Sequence, residues 1–128
     1  MRRASVVALF LLAGLVGSCN LPFVGDCTTL FASVQLVVLD SIGTPLAGLS
    51  ITDTNLRTHQ GFEISQSPYW SGSYDVFDDG DKSLVTSAGD AVKVTGAGSG
   101  GRFSSDFVFK AGDCHVSKVS GPDTVVAR

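Results

Sequence analysis

From Ser33 onward, apolar positions recur along the chain with a period of two. Ser33–Asp40 is the clearest strand, with Val34, Leu36 and Val38 on one face and Gln35, Val37 and Leu39 on the other. Both faces are largely apolar, which places this strand centrally in a sheet. Asp40-Ser-Ile-Gly43-Thr-Pro45 reads as a turn. Leu49–Arg57 alternates, with Leu49 and Ile51 inward and Ser50 and Thr52 outward. Short strands follow at Gly61–Ser65, carrying Phe62 and Ile64, and at Ser73–Phe77, carrying Tyr74 and Val76. Between them Pro68–Gly72 is a loop, and Asp78-Asp79-Gly80-Asp81 is a turn. Ala91–Thr95 is a strand, Gly96–Gly101 a flexible hairpin loop, and Arg102–Lys110 a strand with Phe103, Phe107 and Phe109 on one face. Cys114–Val119 and Thr124–Ala127 close the chain as short strands.

Seven or eight strands at regular spacing predict an all-β fold, a single antiparallel β-sandwich. Composition agrees: glycine is frequent, with 15 residues, and Glu63 is the single glutamate, so good helix formers are scarce.

The N-terminus follows a different pattern. Met1-Arg2-Arg3 is basic, and Ala4–Val16 is apolar apart from Ser5 and Gly14. This run is shorter than the roughly 20 residues a membrane-spanning helix needs, and it has the charge and length of a secretory signal. It ends in Val16-Gly17-Ser18-Cys19, which resembles the lipobox of bacterial lipoproteins. The resemblance implies a signal peptide over residues 1–18 and lipidation of Cys19; a tether over 19–30 then leads to the sandwich domain that the strand pattern predicts over 31–128. By the sorting rule of such lipoproteins in Gram-negative bacteria, Asn20 in place of Asp points to the outer membrane.

Lipidation resolves the cysteine count. The chain has three cysteines, and removing Cys19 leaves Cys27 and Cys114. In an exported protein that pair is expected to form a disulfide; two free thiols or a metal-binding pair are the alternatives. Loss of Arg2 and Arg3 leaves seven basic residues against twelve acidic ones, a net charge of −5. Such a surface disfavours nucleic acid and anionic lipid, so the acyl chains have to hold the membrane.

Val34–Leu39, the turn Asp40-Ser-Ile-Gly-Thr-Pro-Leu-Ala-Gly48, the strand from Leu49 to Thr52, and Gly72-Ser-Tyr74-Asp-Val76 together resemble the carboxypeptidase regulatory-like domain. That resemblance covers about Val34 to Phe77 and implies a transthyretin-like, carbohydrate-binding-like sandwich. It implies no peptidase activity, because no zinc-peptidase motif is present in the sequence.

Several residue groups are candidates for chemistry. Gly96-Ala-Gly98-Ser-Gly-Gly101 has the letters of a dinucleotide fingerprint, but a strand follows where that motif needs a helix. Asp75, Asp78, Asp79 and Asp81 form an acidic group that reads as turn chemistry, with calcium as the competing reading. Tyr69, Trp70 and Tyr74 are the candidate ligand-binding residues; Trp70 and Tyr74 read as filling the end of the sandwich core, with rings that stack on sugars as the competing reading. His59 and His115 are the two histidines and match no metal or nucleophile motif. The expectation is a non-catalytic, lipid-anchored envelope protein without cofactor or metal, whose partner is an envelope protein or a glycan. A carbohydrate-binding module is the alternative.

Overall fold

The structure, a computed structural model, describes residues 27–64 and 71–128. Among these, eight strands form two sheets: β1 (Ser33–Leu39), β2 (Ser50–Asn55), β3 (Gly61–Glu63), β4 (Ser73–Asp78), β5 (Asp90–Gly98), β6 (Gly101–Ala111), β7 (Val116–Ser120) and β8 (Thr124–Val126). One sheet has the order β4-β1-β8 and the other β3-β2-β5-β6-β7. The all-β sandwich expected from the alternation is present. β1 is central in its sheet, paired with β4 on one edge and β8 on the other; its Leu36–Val38 face is buried, whereas Gln35 and Val37 on the other face are exposed. Pairing is antiparallel except for β1 with β8, which run parallel.

The two inner faces meet in one apolar core. Leu36, Val38, Tyr74, Val76 and Phe77 come from the smaller sheet. Ile51, Val92, Val94, Phe103, Phe107, Phe109 and Val116 come from the larger one. Phe77 joins the layers: its ring stacks on Phe109 with centroids 4.6 Å apart, and Phe62 meets it edge-on at 5.8 Å. Offset and edge-on ring pairs of this kind add to the burial of their area. The C-terminus also ties the sheets together. Ala127 N donates to Leu39 O, while Arg102 and Arg128 exchange backbone hydrogen bonds of 3.0 and 2.9 Å.

Two local expectations change. The segment Gly96–Gly101, expected as a loose loop, is strand as far as Gly98, and Gly98 pairs with Gly101 across a two-residue turn. Three of the four glycines have a physical reason. A Cβ on Gly96 would lie 2.3 Å from the Phe103 ring, and one on Gly98 would lie 2.7 Å from the Gly48 carbonyl oxygen. Gly101 has φ +135°, a region L side chains avoid. The second change is at the acidic turn, which extends into a 3-10 helix over Asp79–Leu84. Asp78 caps it, its Oδ1 accepting from Gly80 N at 2.7 Å.

These connections define two ends of the sandwich. One carries the β5–β6 turn, residues 40–48 and Arg128. The other carries the entry segment from Cys27 to Ala32, the 3-10 turn, the β2–β3 connection and the β6–β7 connection.

Candidate functional site

The entry end concentrates the polar chemistry of the described residues. Cys27 and Cys114 are bonded there, across a sequence separation of 87. The bridge places their next neighbours, Thr28 and His115, side by side. Thr28 Oγ1 lies 2.9 Å from His115 Nε2, and His115 Nδ1 lies 2.6 Å from Asp79 Oδ2. An ionised carboxylate only accepts, so Nδ1 carries a proton; in the neutral ring Nε2 then accepts from the threonine hydroxyl.

Asp79 does more than orient the imidazole. Its Oδ2 accepts from Ala32 N at 2.8 Å and its Oδ1 from Val116 N at 2.9 Å, while Asp79 N donates to Ala32 O at 3.0 Å. One side chain thus binds the entry segment, the 3-10 turn and β7. The Ala32 amide, followed by the bonds from His115 and Val116, holds the carboxyl down to about 2 against the opposing effect of desolvation.

A second network sits at the same end. Asp90 is 5% exposed. It takes a two-pronged contact from Arg57, with Nε to Oδ1 at 2.8 Å and Nη2 to Oδ2 at 2.7 Å. Asn55 Nδ2 and Thr86 N also donate to Oδ2. The Arg57 contact is the largest influence holding the Asp90 carboxyl well below the usual carboxylate range. Asn55 Nδ2 donates as well to Leu84 O at 2.8 Å, fixing the end of the 3-10 turn to β2.

Asp53 stands apart from both networks. It faces inward on β2 between Ile51 and Asn55, is fully buried, and among the described residues neither carboxyl oxygen has a hydrogen-bond partner. Burial first, and then the nearby charge of Asp81, push its carboxyl up to about 8. It is therefore held in its neutral form at pH 7.

The sequence-derived candidates separate clearly. Cys19, Tyr69 and Trp70 lie outside the described residues. Tyr74 is 5% exposed, its hydroxyl donating to Leu46 O at 2.7 Å and accepting from Leu49 N at 3.1 Å. It is a core residue that pins the β1–β2 connection, and it offers no free ring face for a sugar. The acidic group is divided between tasks: Asp78 caps, Asp79 joins three segments, and the charge of Asp81 helps to raise the Asp53 carboxyl. Among the described residues no group of three or more His, Cys, Asp or Glu is placed to hold a metal ion. His59 occupies the β2–β3 turn with φ 59°, its N donating to Asn55 O.

The Thr28–His115–Asp79 array is the feature that motif searching missed, because its members are 87 and 36 residues apart. Its signal was the expected Cys27–Cys114 pair: two bonded cysteines bring the residues after them together. Hydroxyl, imidazole and carboxylate in this order can activate a hydroxyl as a nucleophile, or can fasten a chain segment. Comparison with protein-family models, curated proteins and solved structures finds no match for this chain.

Proposed function

We propose that this protein is a non-catalytic cell-envelope module, anchored by lipid on Cys19, whose sandwich acts as a binding or structural accessory. The observation that carries the reading is the fastening of the entry segment. Residues 27–32 are joined to the domain covalently through Cys114 and by hydrogen bonds through Asp79 and His115. A segment that connects an anchor to a domain transmits every displacement of one to the other. A covalent bond backed by a multidentate carboxylate suits that task. The basic and apolar N-terminus and the lipobox at Val16–Cys19 supply the anchor in this reading.

The Thr28–His115–Asp79 array is then a clasp. Asp79 spends an oxygen on each of two backbone amides that belong to different segments, which serves joining more than catalysis. The test is detergent-phase partitioning of the protein expressed with its N-terminus, together with intact mass. Wild type enters the detergent phase with the mass of an acylated Cys19, and Cys19→Ser stays in the aqueous phase. Equal partitioning of both would refute the anchor. Crosslinking in intact cells then identifies the partner, and turnover of any envelope ester or glycan by the pure protein would refute the non-catalytic role.

A further inference from the structure

We propose that the entry end of the sandwich lies against the lipid surface, with Leu30 and Phe31 seated in the boundary between headgroups and acyl chains. The inference rests on the anchor proposed above and adds an orientation and a contact surface to it. Leu30 is 76% exposed and Phe31 68% exposed, three and four residues past the disulfide that fixes Cys27. The Phe31 ring lies over Gly80 of the 3-10 turn, 3.9 Å from where a Cβ on that glycine would stand. Leu56, 37% exposed, belongs to the same end: its N donates to Ala91 O, and the preceding Asn55 holds Leu84.

The length of chain before the bridge selects the occupant. Cys27 follows Cys19 by eight residue steps, at most roughly 28 Å fully extended and about 16 Å for a flexible chain. The linking residues read Asn20-Leu-Pro-Phe-Val-Gly-Asp26. Leu21, Phe23 and Val24 therefore continue an apolar composition from the lipid to Leu30 and Phe31. A domain held this closely keeps its bridge end near the bilayer, and interfacial apolar side chains then leave water at little cost in chain entropy.

Part of the charge at this end is paired: Asp90 is spent on Arg57, Asp79 on His115 and two amides, and Lys82 reaches the Asp113 carbonyl oxygen. Asp78, Asp81 and Asp113 add negative charge there. The net charge of −5 for the chain after Ser18 favours a zwitterionic surface over an anionic one. The opposite end carries Ile42, 85% exposed, and serves as an internal control.

The test uses the full lipidated protein in nanodiscs of phosphatidylcholine and phosphatidylethanolamine, with isotope-labelled methyl groups and a nitroxide-bearing lipid. The Leu30 methyl signals are expected to broaden beyond detection and those of Leu56 to weaken, while the Ile42 methyl keeps its intensity. Equal broadening at Leu30 and Ile42, or none at either while the protein stays on the disc, would overturn the orientation and leave the anchor standing. A protein of unacylated mass that elutes apart from the discs would overturn both.

Discussion

His115 Nδ1 lies 2.6 Å from Asp79 Oδ2, and that carboxylate also receives the amides of Ala32 and Val116. The folded carboxyl is held down to about 2, below its ordinary value of 3.8. A carboxylate whose folded pKa lies below its unfolded one adds stability above the unfolded value, and that stability is lost as pH falls through the folded value. The window is therefore roughly pH 4 down to 2. Thermal melts across this range are expected to show a steep acid loss in the wild type. Asp79→Asn should lower the midpoint at pH 7 and flatten the loss. An unchanged acid limb would mean that Asp79 does not hold the entry segment.

The hydroxyl of Thr28 separates the two uses of the array. Thr28→Val removes one exposed hydrogen bond, worth about 0.5–1.5 kcal/mol. Urea unfolding is expected to show a loss of that size at most, and a fluorophosphonate probe is expected to leave the wild type unlabelled. Labelling that disappears in both Thr28→Val and His115→Ala would make Thr28 a nucleophile and the protein a hydrolase.

The Cys27–Cys114 bridge closes a loop over a sequence separation of 87. In the chain-entropy account, such a loop contributes about 4–5 kcal/mol, an upper figure when the native state resists the constraint. The double variant Cys27→Ser/Cys114→Ser avoids a leftover thiol. It is expected to lose roughly 2–5 kcal/mol in denaturant unfolding. A loss below about 1 kcal/mol would show that hydrogen bonds alone hold the entry segment.

At the β5–β6 turn, Gly98→Ala tests a close backbone approach. The new Cβ would meet the Gly48 carbonyl oxygen at 2.7 Å, and a backbone atom cannot swing aside as a side chain can. A loss of about 1–3 kcal/mol is expected, the range of overpacking in a tight site. A neutral substitution would show that the β1–β2 connection shifts freely.

The strands were legible because they rest on local signals, period-two alternation and turn residues, and the disulfide because setting Cys19 aside leaves one pair of cysteines. The buried set Phe103, Phe107 and Phe109 follows from the alternation on β6 alone. Tyr74 was legible as core, because it shares a strand face with Val76 and both are buried; the partners of its hydroxyl were not. Only the chain geometry brings the Leu46 carbonyl and the Leu49 amide to its hydroxyl. The acidic group was legible as turn chemistry, which Asp78 performs on its own backbone; the reach of Asp79 to segments 47 and 37 residues away was not. The glycine run carried letters of a phosphate loop and proved to be a strand and turn in which Phe103 and Gly48 leave no room for a side chain. Sequence periodicity reports what a residue's own element needs, and it is silent on what distant elements bring to it.

Asp53 yields the prediction that depends most on three-dimensional context. It continues the inward register of Leu49 and Ile51 on β2 and is fully buried, and among the described residues both its oxygens are unpartnered. Burial, aided by Asp81, raises its carboxyl from 3.8 to about 8. The sign is opposite to that of Asp79. Between these values the unfolded chain has released its proton and the folded chain has kept it, so stability falls as pH rises from about 4 to about 8. The slope from this one group is of the order of 1 kcal/mol per pH unit. Asp53→Asn keeps the shape and removes the titration, so its stability should be flatter across that interval. Denaturant unfolding at several pH values from 4 to 9 measures both slopes. Parallel curves for wild type and variant would mean that Asp53 is ionised in the folded protein, with a partner or a cation satisfying it.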